Sequence, residues 1–245
     1  MTRAAGAPAT ASLRAASAHF FVPDLVAPTL DEADAHHART VLRLAAHEPV
    51  TVSDGRGAWR PCRLARDGAL EPTGEIVHEP APRWPLMVAF APVKGERPEW
   101  TVQKLTELGV DVIAPISGAR HAVVRWEGER GGRQAGRLRR VAREAAMQSR
   151  RTRLPEVRDP APLDAIASLA AASREGAAGV LAVADPAGVP LDASHRAVAI
   201  GPEGGFTDDE IGAAPRVALG DTILRAETAA LAAATLMAHA RRAAS

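Results

Sequence analysis

The residues best suited to chemistry lie in a glycine-rich segment near the carboxyl terminus. Residues 200–210 have the sequence Ile-Gly-Pro-Glu-Gly-Gly-Phe-Thr-Asp-Asp-Glu, with three glycines within five positions. Glycines let the backbone turn sharply and approach a ligand, and Pro202 stiffens the turn. Thr207 is a good helix N-cap residue, and Glu210 three positions later completes a capping box. The segment predicts a strand-to-helix turn, which either holds a ligand or serves only as a turn.

A second segment of the same kind follows a short distance along the chain. Residues 219–229, Leu-Gly-Asp-Thr-Ile-Leu-Arg-Ala-Glu-Thr-Ala, leave one predicted strand and enter a predicted helix. Ligands of open α/β sheets bind at the carboxyl ends of the strands. The two segments are therefore expected to close one pocket.

The elements that must position these segments follow two patterns. In residues 19–81, short apolar runs separated by turns such as Asp54-Gly55 predict a small β-barrel-like domain. Three prolines between residues 80 and 85 mark a boundary near residue 82. In residues 82–245, buried strand-length runs alternate with helical patterns, which predicts an α/β domain with a mostly parallel sheet covered on both faces. Residues 1–18, rich in alanine and without periodicity, are predicted to be a disordered leader.

Composition excludes several classes of function. Cys62 is the single cysteine and the eight histidines show no metal-ligand spacing, so we predict neither a disulfide, a zinc site nor any other metal. Cys62 is expected to be a small core residue. No apolar stretch approaches the roughly 18 residues that span a bilayer, and the first residues lack a secretory signal, which favours a cytoplasmic protein without membrane contact. The absence of GxSxG and Walker A motifs argues against serine hydrolases and P-loop proteins.

The charges are unevenly distributed although the formal net charge is only +1. Between Glu129 and Asp159 there are ten arginines and four acidic residues. A helix predicted at about 133–149 places Leu138, Val141, Ala142 and Ala145 on one face and leaves several arginines on another. The block predicts either a phosphate-binding surface or an ordinary solvated helix face.

Several of these motifs together resemble one family, the RsmE-type 16S ribosomal RNA uridine-N3 methyltransferases of the SPOUT superfamily. The glycine-rich segment and the second segment are similar to its two signature segments. Other matching stretches are Gln103–Val110 with the family's QK-x-x-ELGV pattern, Arg120, Gln148-Ser149 with Arg151, and His37, Val41–Arg43 and Asp54-Gly55 in a PUA-like domain. The resemblance runs from about His19 to the end of the chain.

The chain departs from the family's pattern at a few positions. Met147 and Arg150 occupy positions where the family often has Glu and Gly, and Ala18-His19-Phe20 replaces a frequent R-x-F start. The first pair adds charge near the basic helix, and the second removes one possible RNA-binding arginine. Neither departure touches the two signature segments.

The resemblance implies a carboxyl-terminal trefoil knot, an obligate homodimer and a bound S-adenosylmethionine. It implies that the cofactor is held by the two signature segments and that Ala184–Ala187 supplies the remaining knot loop. The cofactor-binding residues it implies are Ile200, Gly201, Glu203, Gly204, Leu219, Gly220, Ile223, Leu224 and Thr228.

The implied reaction is methylation of uridine N3 in 16S ribosomal RNA of the small ribosomal subunit. The sulfonium already activates the methyl group, so the enzyme must mainly align it and deal with the N3 proton. Arg225 is the candidate for stabilising charge on the uracil oxygens, and Glu203 is the candidate base if burial raises its pKa. Arg225 could instead pair with Glu227 or a phosphate, and Glu203 could merely brace its loop. For Glu227 a helix-capping role is favoured.

The resemblance also makes the arginine block a candidate RNA-binding surface. The RNA-contact candidates are Arg39, Arg43, Lys94, Arg120, Arg139, Arg143, Arg150 and Arg151. Two alternatives remain open: a SPOUT methyltransferase acting on another ribosomal or transfer RNA position, and a non-catalytic RNA-binding factor of ribosome assembly. A nucleotide-binding oxidoreductase is disfavoured because residues 201–205 do not form GxGxxG after the first strand of a βαβ unit.

Overall fold

The chain divides into two compact units. The computed structural model describes residues 12–172 and 179–244. The first unit extends to Ala81 and includes residues 146–154, and the second consists of residues 82–145 and 155–245. The sequence predicts two contiguous domains. The structure differs from this prediction because residues 146–154 belong to the first unit. Residues 1–11 of the predicted leader lie outside the described residues.

The remainder of the predicted leader is ordered. Residues 12–15 form a helical turn, and Leu13 and Ala16 are buried at a spacing of three residues. The guanidinium of Arg150 donates hydrogen bonds to the carbonyls of Ala16 and Ser17, both at 2.9 Å. The prediction of a disordered leader was therefore wrong for residues 12–18, because these contacts hold them against their own unit.

The first unit is built on a five-stranded sheet. Its strands are β1 (Ala18–Phe21), β2 (Pro49–Ser53), β3 (Ala58–Leu64), β4 (Leu70–Pro72) and β5 (Val77–His78). The order is β1-β2-β3-β4, with β5 also paired to β3. Only the β1–β2 pair is parallel. This sheet agrees with the predicted β-rich domain.

A helical insertion between β1 and β2 was not predicted. Helix α1 (Glu32–His36) continues into a π-helical turn at His37–Val41. The carboxylate of Asp31 caps α1 by accepting from the backbone N–H of Asp34 at 2.7 Å. The segment is too short to show a helical period in sequence, so only the cap could have indicated it.

The core of the first unit contains Phe20, Val52, Cys62 and Met147. Cys62 is buried as predicted, and burial raises the pKa of its thiol to about 11, which keeps it protonated. Residues 151–154 contribute further bonds. Ser53 Oγ donates to Thr152 O at 2.8 Å, and His19 Nε2 donates to Arg151 O at 3.1 Å.

The second unit is built on a six-stranded sheet. Its strands are β6 (Met87–Phe90), β7 (Val112–Pro115), β8 (Glu156–Val157), β9 (Leu181–Pro190), β10 (Ala197–Ile200) and β11 (Arg216–Ala218). They are ordered β11-β9-β10-β6-β7-β8, and every pair is parallel. The predicted parallel sheet is confirmed, and β8 was not predicted.

Helices cover both faces of this sheet, as the run of buried residues predicts. Alternate residues of β6 face opposite clusters, with Val88 and Phe90 in one and Met87 and Ala89 in the other. The first cluster includes helices α2 (Arg97–Glu107), α3 (Gly128–Gln148) and α6 (Ala226–Ala243). The second includes α4 (Leu163–Ala172), which was not predicted, and α5 (Asp208–Ile211).

Helix α3 has the predicted amphipathic arrangement. Leu138, Ala142 and Ala145 are buried, Val141 is half-buried, and the arginines of the opposite face are exposed. Several arginines of the basic block form ion pairs with neighbouring carboxylates, namely Arg133–Glu129, Arg137–Glu99, Arg139–Asp159 and Arg158–Glu156. Within the described part of the chain, no helix is both long enough and apolar enough to cross a membrane.

Candidate active site

The two signature segments lie at the same edge of the parallel sheet. The glycine loop, residues 201–207, follows β10, and the second loop, residues 219–225, follows β11. The loops after β6 and β7 leave the same edge because all these strands run in one direction. This is the edge at which open α/β sheets bind their ligands.

The glycine loop has a defined conformation. Thr207 caps α5, its hydroxyl accepts from the backbone N–H of Glu210, and the Glu210 carboxylate accepts from the backbone N–H of Thr207 at 2.8 Å. The predicted capping box is thus confirmed. A Cβ at Gly201 would lie 3.1 Å from the Phe206 ring, and Gly205 has a φ of +71°. The positive φ favours glycine at 205, and a side chain at 201 would press on the Phe206 ring.

The loop after β7 clamps the glycine loop at two points. The backbone N–H of Arg120 donates to Glu210 Oε1 at 2.8 Å, and His121 Nδ1 lies 2.9 Å from the carbonyl oxygen of Gly204. A Cβ at Gly204 would lie 2.9 Å from His121 Cβ, so only glycine permits this approach. Partial burial acts to raise the pKa of Glu210, but the hydrogen bonds from Thr207 and Arg120 outweigh it, so the pKa is lowered. His121 was not among the predicted site residues.

Arg97, at the start of α2, connects the two signature segments. One of its guanidinium nitrogens lies 3.8 Å from Glu203 and 3.8 Å from Glu227. The Glu203 side chain is 66% exposed and that of Glu227 is 16% exposed. Glu203 therefore lacks the burial on which its predicted role as a base depends, whereas the contact with Arg97 fits the alternative of a loop brace. Arg97 was not among the predicted site residues, because its partners are distant in the chain.

Arg225 lies at the N-cap position of α6 with an extended backbone, at φ −65° and ψ 154°. Arg225 is exposed to solvent. Among the residues that the structure describes, no hydrogen bond or ion pair of its side chain is found, and Glu227 pairs with Arg97 instead. The structure therefore does not contain the alternative ion pair between Arg225 and Glu227. Glu227 lies in the first turn of α6, where the helix dipole favours an acid.

The second loop offers unpaired peptide groups to solvent. Leu219 and Leu224 pack against the core and hold its ends, while Ile223 is 88% exposed. In residues 12–172 and 179–244, no acceptor is found for the backbone N–H groups of 220–224. Thr228 is exposed on the first turn of α6. A loop that is anchored at both ends and has free peptide groups between them suits a polar ligand such as S-adenosylmethionine.

Ile200 and the predicted third loop are placed differently from the signature loops. Ile200 is 2% exposed, and its carbonyl accepts from the backbone N–H of Ala91 at 2.9 Å, so its side chain belongs to the core. Ala184–Ala187 lies within β9 and not in a separate loop. In the pairing of β11 with β9, Arg216 lies opposite Val183, but the next residue, Val217, lies opposite Val189. The residues of β9 between Val183 and Val189 therefore bulge out of the ladder.

The RNA-contact candidates of the second unit differ in availability. Lys94 is exposed in the loop after β6. Arg120 is 62% exposed and lies 3.5 Å from Asp209. Arg139 donates to the carbonyl of Val157 at 2.9 Å and to Asp159 at 2.8 Å, so it also braces its own unit. Arg143 is half-buried and has contacts within the fold.

The RNA-contact candidates of the first unit are either exposed or bonded within their own unit. Arg39 is exposed within the π-helical turn and Arg43 is exposed just after it, with a φ of 51°. Arg150 bonds three backbone carbonyls, including that of Met147 at 3.0 Å, and burial lowers the pKa of its guanidinium. Arg151 has contacts within the fold. Arg150 is therefore first of all a residue that holds its own unit together.

No cluster of three or more His, Cys, Asp or Glu side chains that could hold a metal ion occurs within residues 12–172 and 179–244.

Comparison with protein families gives two matches along the chain. Residues 79–238 match the RNA methyltransferase domain, and residues 30–77 match the RNA methyltransferase PUA domain. Among curated relatives, the ribosomal RNA small subunit methyltransferase E of Mycobacterium bovis is 33% identical over 230 residues, covering 85% of each chain. The protein of the same name from Bacillus subtilis is 28% identical over 221 residues, covering 81% of this chain and 84% of the relative.

Solved structures with the same fold include proteins that contain the cofactor. The ribosomal RNA small subunit methyltransferase E of Neisseria gonorrhoeae bound to S-adenosyl methionine has a TM-score of 0.69 at 26% identity, covering 90% of this chain and 96% of that one. The putative methyltransferase Lpg2936 of Legionella pneumophila in complex with the same cofactor has a TM-score of 0.71 at 26% identity, covering 89% and 96%.

Proposed function

The chain belongs to the RNA methyltransferase family that includes ribosomal RNA small subunit methyltransferase E, and from this premise we propose that it methylates N3 of a uridine in 16S ribosomal RNA. It is an S-adenosylmethionine-dependent enzyme with a SPOUT-type α/β domain and a PUA-like domain. The observation that carries the proposal is the pair of anchored loops at one sheet edge, with Arg225 between the second loop and α6.

The second loop is proposed to hold the cofactor. S-adenosylmethionine supplies a methyl group on a positively charged sulfur, which is already a good electrophile. The free peptide N–H groups of residues 220–224 can donate to its polar edges, and Ile223 can cover its apolar ring. On the opposite loop, the carbonyl of Gly204 accepts from His121, and within the described ranges no acceptor is found for the Gly204 N–H.

Arg225 is proposed to stabilise negative charge on the uracil oxygens. Removing the N3 proton delocalises charge onto both ring carbonyls, and a guanidinium can donate to such oxygens. Arg225 has an exposed side chain and an extended backbone directly beside the second loop. Because its neighbour Glu227 is paired with Arg97, its own charge is left for the substrate.

A trefoil knot and a homodimer are also part of the proposal. The chain runs from β9 to β10 and then returns to pair β11 with β9, which is the strand order that a threaded carboxyl-terminal segment needs. Trp100 on α2 and Leu236 on α6 are 44% and 40% exposed on two helices that pack together. We propose that these two apolar side chains are buried in the subunit interface. A cytoplasmic location follows from a ribosomal substrate.

RNA binding is assigned to exposed basic residues of each unit separately. In the first unit these are Arg39 and Arg43, and in the second Lys94 and Arg120. Such contacts bind phosphates without reading sequence and make affinity fall with salt.

The deciding experiment is transfer of radiolabelled methyl groups to small ribosomal subunits from a strain lacking this protein. The modified nucleoside is then identified by mass spectrometry. We expect label as 3-methyluridine in 16S ribosomal RNA. Label in another nucleoside or in transfer RNA would replace the proposed target, and absence of label despite cofactor binding would favour a non-catalytic assembly factor.

A further inference from the structure

His121 has a fixed ring orientation beside the glycine loop. Its Nδ1 lies 2.9 Å from the carbonyl oxygen of Gly204 and 3.3 Å from that of Gly205. Carbonyl oxygens only accept hydrogen bonds, so Nδ1 must carry the hydrogen. In the neutral ring, Nε2 then has a lone pair. Within the described ranges, no hydrogen bond of Nε2 is found, and the residue is exposed.

A histidine arranged in this way can act as a general base. A histidine base is ordinarily oriented by a hydrogen bond at one ring nitrogen while the other accepts the proton. An imidazole nitrogen with a free lone pair can accept a proton while the hydrogen bond at the other nitrogen stays in place. Glu203, the other candidate, is 66% exposed and paired with Arg97.

The charged groups near His121 are engaged with other partners. On its own loop, the guanidinium of Arg120 lies 3.5 Å from Asp209. On the glycine loop and α5, Glu203 pairs with Arg97, Asp208 with Arg216, and Glu210 accepts from Thr207 and Arg120. None of these carboxylates takes the Nδ1 hydrogen, which leaves Gly204 to hold it. The Gly204 carbonyl therefore favours the tautomer in which Nδ1 carries the hydrogen.

We propose that His121 accepts the N3 proton of the target uridine, an inference that rests on the proposed function and goes beyond it. His121 Nε2 takes the proton from N3, and the electron pair left on N3 forms the bond to the methyl carbon. The bond from that carbon to sulfur breaks with its electron pair remaining on sulfur. Arg225 balances the charge on the uracil oxygens, and the imidazolium then releases its proton to solvent.

The test is the pH dependence of methyl transfer in the full-length protein with His121→Asn. An asparagine amide nitrogen can replace Nδ1 as the donor to Gly204 but provides no base. We expect cofactor affinity within about twofold of the wild type and a fall in kcat of roughly 10²- to 10⁴-fold near pH 7. We also expect partial recovery at alkaline pH, where the uridine ionises without help. His78→Asn, at an exposed histidine of β5 in the first unit, is the matched control and should leave all parameters unchanged.

The outcomes separate this inference from the proposed function. Wild-type protein that methylates small subunits establishes the reaction, whatever the variant does. Wild-type kcat in His121→Asn would overturn the assignment, as would a fall in kcat that is the same at every pH. In the latter case His121 only positions the glycine loop, and His121→Ala, which removes the donor, should then weaken cofactor binding more than His121→Asn. Rescue of His121→Gly by added imidazole would support the proton-acceptor role.

Discussion

Gly188 is the position at which one added methyl group should damage both stability and cofactor binding. It lies in the bulged part of β9, and a Cβ there would be 2.5 Å from the carbonyl carbon of Arg216 and 2.5 Å from the nitrogen of Val217. Carbon atoms pack at about 3.5 Å or more, so Gly188→Ala requires a displacement of roughly 1 Å. The obstructing atoms are backbone atoms of β11, which cannot rotate away as a side chain could.

The displaced strand leads directly into the second loop. Overpacking of this kind typically costs about 1–3 kcal/mol. For a protein of this size, each kcal/mol lowers Tm by about 2–4 °C, so we expect a fall of roughly 2–12 °C. Because Leu219 follows β11 at once, we also expect weaker S-adenosylmethionine binding by calorimetry.

Gly132→Ala is the matched control for this prediction. Gly132 is exposed in α3, and nothing lies within 4 Å of its Cβ position. Replacing glycine by alanine within a helix should stabilise by about 1 kcal/mol and leave cofactor affinity unchanged. If Gly188→Ala unfolds at the wild-type temperature and binds the cofactor equally well, the link from β9 through β11 to the loop is refuted.

Three further predictions concern separate features. Arg225→Ala should abolish turnover while largely sparing cofactor binding, and unchanged methylation of small subunits would remove Arg225 from the mechanism. Burial, with the nearby Arg150 charge adding to it, lowers the pKa of His19 to about 4 from 6.5, so the unfolded state binds the proton first as the pH falls. Stability is therefore complete above about pH 6.5 and should decline by about 3 kcal/mol towards pH 4. Denaturant unfolding at several pH values checks this, and His19→Gln should flatten the dependence. Glu210→Ala removes half of a capping box and the acceptor for the Arg120 N–H, and should cost about 1 kcal/mol by thermal unfolding, whereas an unaltered Tm would contradict that role.

The sheet of the second unit could be predicted because its signals are local. Strands buried on both faces give apolar runs, and the glycine loop contains the cap and the acid of a capping box within four positions of the chain. The amphipathic face of α3 is likewise visible in its spacing. Each of these depends on neighbours in sequence, so one chain is enough to identify it.

The missed features depend on contacts between distant residues. His121 and Gly204 are 83 positions apart, and Arg97 is still farther from Glu203 and Glu227. A histidine in a loop or an arginine at the start of a helix has no local signature of such a contact. Only the position of His121 just after a strand, at the carboxyl edge of the sheet, could have drawn attention to it.

The discontinuous first unit has a consequence for its folding during protein synthesis. The carbonyl of Thr152 accepts hydrogen bonds from Ser53 and Gly57. The guanidinium of Arg153 donates to the carbonyl of Glu79, and His19 donates to the carbonyl of Arg151. A nascent chain released from the ribosomal tunnel only as far as Ala81 therefore has a sheet with unfilled partners. At about 5–20 residues per second, the ribosome needs roughly 4–15 s to supply the next 73 residues, from 82 to 154. The first unit therefore completes these hydrogen bonds only after residues 151–153, beyond the end of α3, have been synthesised.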